Sequence, residues 1–174
     1  MRRNRSRRSR SKSAQEIHDP NKLKRSIHHI VYEYANLISS GTLLTTPLAP
    51  PCNTHVQDAF LLGCRKLADF FLSRQQLDDV TARHFFGPKA TLKLQLPEWR
   101  RWQRVINKQL AHITYTRVAR PQTWDGTRNP VLLAEFRRAW KQFFERLEEA
   151  HRAEFEREIA AKLKSPGFGH LDLR

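Results

Sequence analysis

Residues 97–117, PEWRRWQRVINKQLAHITYTR, divide into an apolar and a basic side when they are placed on an α-helix. With 3.6 residues per turn, the apolar side chains share an arc of roughly 80°; they are Trp99, Trp102, Ile106, Leu110 and Ile113. The opposite arc holds Arg101, Arg104, Lys108, His112 and Tyr115. The segment therefore predicts a helix that buries one side in a bundle and presents cations on the other.

The same periodicity predicts further helices and an all-α, four-helix bundle over residues 20–164. The first helix is expected over residues 21–40, with Gly41 at its C-terminus. The second runs from Asn53 or Thr54 to about Ser73 and is apolar on most of its sides, which is typical of a central helix. Asp78 or Asp79 would cap a brief helix that ends at Phe86. Residues 90–96 alternate in polarity, but without a second strand they predict an ordered loop.

The last helix is predicted to run as one long element from residue 130 to residue 164, because apolar side chains recur every three or four positions. A helix of this length would span about 50 Å. That exceeds the width of the domain, so its C-terminal half must project, pair with another chain, or break. Residues 165–174 are expected to form a loose C-terminal tail.

The positive charge is confined to two places. The chain has a formal net charge of +15, and residues 1–15 hold seven basic side chains and no acid. Residues 83–120 hold nine basic side chains against the single acid Glu98, and the rest of the chain is nearly neutral. This distribution favours a polyanion as partner. The Arg/Ser-rich residues 1–19 predict a disordered arm. This arm either binds nucleic acid through Arg2, Arg3, Arg5, Arg7, Arg8 and Arg10, or is a solvated tail, or results from an over-extended start codon.

The cysteines and the hydropathy pattern predict a reduced, cytoplasmic protein. Cys52 and Cys64 are the only cysteines, and nothing in the pattern requires them to pair. No apolar run reaches the length of a membrane span, and the N-terminus lacks the apolar core of a signal peptide. No cofactor motif is present, and no membrane partner is expected.

His112 is the first candidate for chemistry. The macrodipole at a helix C-terminus favours a charged imidazole, and Lys108 and Tyr115 lie where they could hold a phosphate. Arg117 is a further candidate for binding nucleic acid. Metal-free cleavage of RNA needs a base near the 2′-hydroxyl and cations on the phosphate. The alternative is a solvated basic surface with an incidental histidine.

Residues 106–117, INKQLAHITYTR, resemble a signature of a bacterial family of small all-helical proteins, and QDAFLLGCRKLADFF and DDVTARHFF resemble its other segments in the same order. The resemblance covers residues 54–124. The Asn-Lys-three residues-His arrangement is also similar to the motif of the HEPN superfamily, whose bundles include metal-independent ribonucleases of toxin and defence systems. The resemblance implies that His112 is the motif histidine and Lys108 its polar neighbour. Asn107 stands where the motif has arginine and cannot supply that cation.

Two further groups of polar residues have both a functional and a structural interpretation. Arg65 and Asp69 are four positions apart on the second helix. They either orient the His112 imidazole or belong to a packing network. His28, His29 and Tyr32 share the polar side of the first helix, but a metal site would need a third ligand that the sequence does not indicate.

These observations leave three functions open. The first is a HEPN-like, noncatalytic module that binds nucleic acid, RNA rather than DNA, through Arg101, Arg104 and Lys108. The second is a metal-independent ribonuclease with His112 as general base. The third is a noncatalytic protein-interaction module, in which the last helix forms a homodimer or docks a small partner of a toxin-antitoxin or regulatory pair.

Overall fold

The computed structural model describes residues 20–48, 52–72, 79–86, 94–111, 126–169 and 171–173. These ranges contain five α-helices: α1 (Pro20–Leu43), α2 (Cys52–Leu72), α3 (Pro97–Ala111), α4 (Asn129–Phe144) and α5 (Glu149–Leu163). A 3₁₀ turn (Ala82–Phe85) lies between α2 and α3, and none of the described residues forms a strand. The all-α class is confirmed. The predicted disordered arm, residues 1–19, lies outside the described residues.

The first helix continues past Gly41, which was expected to end it. Gly41 is buried inside α1, where an added Cβ would lie 2.8 Å from a Leu133 methyl and 2.9 Å from the Phe60 ring. Glycine is therefore needed at this position because α1 comes very close to the side chains of α2 and α4.

The core lies where α1 and α2 meet the other helices. The first helix packs against α2, α4 and α5, and α2 also packs against α3, α4 and the 3₁₀ turn. Aromatic rings meet around Phe143 of α4, whose centroid lies 5.3 Å from that of Phe70 and 5.4 Å from that of Phe155. Both contacts are close to edge-to-face, the arrangement that places positive ring edges against negative faces.

The single long last helix was a wrong prediction, because residues 145–148 break it into α4 and α5. The Glu148 amide at the end of the break donates to the Phe85 carbonyl of the 3₁₀ turn, at 3.3 Å. Leu147 is buried in the break, and Phe155 and Ile159 of α5 are then buried against the rest of the chain. A continuous helix would have carried Phe155 away from the core, so burial of this side chain accounts for the turn.

The segment after α5 is not a loose tail, which corrects a second expectation. Leu171 and Leu173 are buried, and the Trp140 indole Nε1 donates to the Leu173 carbonyl at 3.3 Å. The Leu171 amide also donates to the Phe168 carbonyl, at 3.0 Å. These contacts attach residues 171–173 to the core.

The brief helix before residue 87 is a 3₁₀ turn whose N-cap is Thr81, not Asp79 as expected, while Asp78 lies outside the described residues. The Thr81 amide donates to Nδ1 of His84, at 3.0 Å, so this imidazole nitrogen accepts.

Cys52 is exposed and Cys64 is buried, and both are free thiols. Within the described ranges, no helix combines the length and the apolar character that a membrane crossing requires.

Candidate nucleic-acid interface

The third helix buries the side that its sequence pattern predicts. Pro97 stands at its first position, where the missing amide hydrogen costs no hydrogen bond. Trp99 and Ile106 are buried, and Trp102 and Leu110 are partly buried and pack against the core. Ile113, the last member of the predicted apolar stripe, lies outside the described residues. Because the apolar side of α3 is buried against the core, the opposite side of the helix faces outward.

A buried carboxylate on α4 holds the start of α3. Glu135 is only 1% exposed, and its two oxygens accept the backbone amides of Glu98 and Trp99, each at 2.9 Å. These amides belong to the first turn of α3 and have no partner within that helix. A negative charge is also favourable next to the positive end of the helix dipole. Sequence reasoning missed Glu135, although an acid within the apolar stripe of α4 was a usable signal.

The side of α3 opposite the core carries four cations: Arg100, Arg101, Arg104 and Lys108. The three arginines are exposed and Lys108 is half-buried. Within the described part of the chain, no ion pair involves any of the four. The sequence predicted Arg101, Arg104 and Lys108 for this surface and omitted Arg100, even though Arg100 lies about 40° from Arg104 around the helix.

Tertiary structure adds a fifth cation, Arg128. It precedes α4 in a turn that Gly126, with φ of 79°, begins, and the Asn129 amide donates to the Gly126 carbonyl at 3.0 Å. The Arg128 guanidinium carbon lies 5.8 Å from the centroid of the Trp102 ring, and that of Arg101 lies 5.5 Å from it. Both are cation–π distances. We call Arg100, Arg101, Arg104, Lys108 and Arg128 together the basic face.

On α5, in contrast to the basic face, carboxylates lie next to basic side chains and pair with them. Glu154 pairs with Lys24 of α1 at 2.7 Å and with Arg157 of its own helix, and Glu158 lies 3.2 Å from Nδ1 of His28. The apolar residues Phe155 and Ile159 of α5 pack inside this chain. A partner at α5 would therefore meet its charged side.

The structure describes only some of the residues that were predicted to form a catalytic site. His112, Tyr115 and Arg117 lie outside the described residues, as do Arg2, Arg3, Arg5, Arg7, Arg8 and Arg10. Asn107 is half-buried, and its carbonyl oxygen is buried without a hydrogen bond to the described part of the chain. The position where the HEPN motif has arginine thus carries a neutral side chain whose oxygen faces away from solvent.

Arg65 and Asp69 lie near each other on α2 without a close ion pair. None of the salt bridges among the described residues joins them. Partial burial raises the pKa of the Asp69 carboxyl above its ordinary value of 3.8; the Arg65 charge opposes this shift and the Asp79 charge adds to it. Their proposed action on the His112 imidazole stays a prediction.

The histidines of α1 take part in contacts within the chain. His28 lies beside Glu158, the His29 ring meets the His28 ring at 5.6 Å, and the Lys162 ammonium lies 4.4 Å from the Tyr32 ring centroid. Searched over the described residues, the chain brings no three metal-ligating side chains together.

Comparison with known proteins adds no relative: no family model, no curated protein and no solved structure matches this chain.

Proposed function

We propose that this protein binds nucleic acid through the basic face and does not cleave it. The observation that carries the proposal is the set of five cations that have no carboxylate partner in the described part of the chain. Elsewhere Lys24, Lys66 and Arg157 are each paired with glutamate. Unpaired cations gathered on one surface favour the phosphates of a polyanion, because binding releases the counterions that surround it.

RNA is the proposed ligand in preference to DNA, and a HEPN-like bundle is the proposed fold. Both proposals depend on the resemblance of residues 106–117 to the HEPN motif. The all-helical architecture is compatible with them, and α3 carries the motif positions 107 and 108. Binding without cleavage is proposed because Asn107 offers no cation where the motif has one.

The test compares two variants that lose the same charge. One carries Arg101→Gln, Arg104→Gln and Lys108→Gln; the matched control carries Arg83→Gln, Arg138→Gln and Lys141→Gln, three exposed basic residues outside the basic face. Binding of fluorescent single-stranded RNA and DNA is measured for the full chain and for a chain beginning at Glu16. With one phosphate contact for each of the five cations of the basic face, affinity for RNA should fall by about 100-fold between about 50 and 200 mM salt.

The basic-face variant should lower RNA affinity by about one to two orders of magnitude and reduce the slope of log K against log salt concentration by about 2, because three phosphate contacts are lost. The control should change affinity much less. The proposal is wrong if the chain beginning at Glu16 binds neither nucleic acid at low salt, or if the two variants lose affinity equally.

A further inference from the structure

A second basic site lies away from the basic face, in a cleft of about 430 Å³ between the N-terminal half of α1 and the C-terminal half of α5. Lys24, Arg25 and His28 of α1 line one side, and Arg157 and Glu158 of α5 line the other, with Asn21 also at the surface of the cleft. Helix α5 packs on α1, whereas α3 packs on α2 and α4. The cleft and the basic face are therefore formed by different helix pairs.

The cleft has more positive than negative charge. Glu154 is shared, because it pairs with both Lys24 and Arg157, and Glu158 pairs with the His28 imidazole. Arg25 is exposed, and no ion pair within the described residues involves it. Two carboxylates thus face three permanent cations and a titratable imidazole, and the Arg25 guanidinium is left to bind an external anion.

We propose that this cleft binds a phosphate group. A planar guanidinium presents a fork of donors that matches two phosphate oxygens, and Arg25 supplies it at the cleft. Lys24 and Arg157 are held by Glu154 and contribute positive charge around the Arg25 guanidinium. The phosphate group comes either from free phosphate or from the backbone of a nucleic acid strand. The site is separate from the basic face and does not depend on the function proposed for it.

The test uses nuclear magnetic resonance on the full-length chain, with inorganic phosphate and, separately, with a short oligothymidine strand. The oligothymidine titration uses the Arg101→Gln, Arg104→Gln, Lys108→Gln variant, so that binding at the basic face does not mask the cleft. Saturable shifts are expected for the amides of residues 21–28, 157 and 158. Tighter binding of oligothymidine than of inorganic phosphate would assign the backbone as source, and equal or weaker binding would assign free phosphate.

Arg25→Ala should weaken the cleft affinity by about fivefold to tenfold, because one charged donor is lost at an exposed site. The control Lys141→Ala, an exposed cation of α4, should leave it unchanged. The proposal is overturned if neither titrant gives saturable shifts at the cleft, or if Arg25→Ala binds as tightly as the wild type. Failure of RNA binding at the basic face would not change the inorganic phosphate titration, so the two proposals fail separately.

Discussion

The phenol ring of Tyr34 lies flat against the indole of Trp140, with ring centroids 3.9 Å apart and planes 6° from parallel. Both side chains are buried, and burial raises the pKa of the Tyr34 hydroxyl, which therefore stays protonated. Because the Trp140 Nε1 also donates to the Leu173 carbonyl, one aromatic pair joins α1, α4 and the C-terminal segment.

Two substitutions of Trp140 should destabilise the fold by different amounts. Trp140→Ala should lower the free energy of unfolding by about 3 to 5 kcal/mol, because it removes the stack and leaves a cavity. Trp140→Phe keeps a ring against Tyr34 but loses the hydrogen bond to Leu173, and should cost about 1 to 2 kcal/mol. Urea denaturation followed by circular dichroism measures both. Val131→Ala, at an exposed position of α4, is the control, and losses equal to this control would contradict the assigned role.

Glu135→Gln should loosen the start of α3 without changing the volume of the core. A glutamine amide can accept one of the two backbone hydrogen bonds but places its own N–H groups towards the other amide. We expect a loss of about 1 to 3 kcal/mol in the free energy of unfolding. Hydrogen exchange should show faster exchange at the Glu98 and Trp99 amides. Unchanged protection of these two amides in the variant would show that Glu135 does not cap the helix.

The two thiols should differ sharply in reactivity. Cys52 is exposed, whereas Cys64 is buried, and burial together with the nearby Glu135 charge raises the pKa of the Cys64 thiol. A chromogenic disulfide reagent should therefore modify one thiol of the native protein rapidly and the second only after denaturant is added. Cys52→Ser should abolish the rapid phase. Rapid modification of both thiols would mean that the packing around α2 is open.

The pKa of Asp69 should respond in opposite directions to two neighbouring substitutions. Asp79→Asn removes a charge that raises this pKa and should lower it, whereas Arg65→Gln removes a charge that lowers it and should raise it further. Carboxyl carbon chemical shifts followed through a pH titration measure both changes. No change in either variant would show that Asp69 does not sense these charges.

Asp69→Asn should stabilise the protein slightly at neutral pH. The folded pKa is raised, so folding favours the protonated form, and that contribution is lost as pH rises through the folded value. The neutral asparagine avoids the loss, and the gain should be below about 1 kcal/mol because the site is largely exposed. The difference from wild type should vanish below the ordinary carboxyl pKa of 3.8. A gain that persists at acidic pH would point to a cause other than ionisation.

Purified protein should leave single-stranded RNA intact over hours, because position 107 supplies no cation to the motif. The ribonuclease hypothesis expects cleavage that persists in EDTA and produces 2′,3′-cyclic phosphate ends. It also expects His112→Ala to lower the rate by about 10² to 10⁴, the usual contribution of a positioned acid or base. Cleavage with all of these properties would replace the binding proposal with the catalytic one, and cleavage that His112→Ala leaves unchanged would indicate a contaminating nuclease.

The sequence alone determined the all-α class and which side of α3 is buried. Helix periodicity is a local property, so the spacing of Trp99 and Ile106 was enough to predict which side is buried and that Arg101 and Arg104 are exposed. The all-α class follows from the same repeat in the other segments. These features depend on side chains only a few positions apart.

Tertiary structure alone decided the features that depend on distant parts of the chain. Residues 145–148 (ERLE) contain no glycine or proline, so they carry no local signal for a break; burial of Phe155 beside Phe143 accounts for it. The Arg128 guanidinium reaches Trp102 only because α4 packs beside α3. Glu135 is likewise a cap only once α4 meets the start of α3. These contacts join residues that are far apart in the sequence, so helix periodicity does not predict them. They form because packing of the helices lowers the free energy of the folded state.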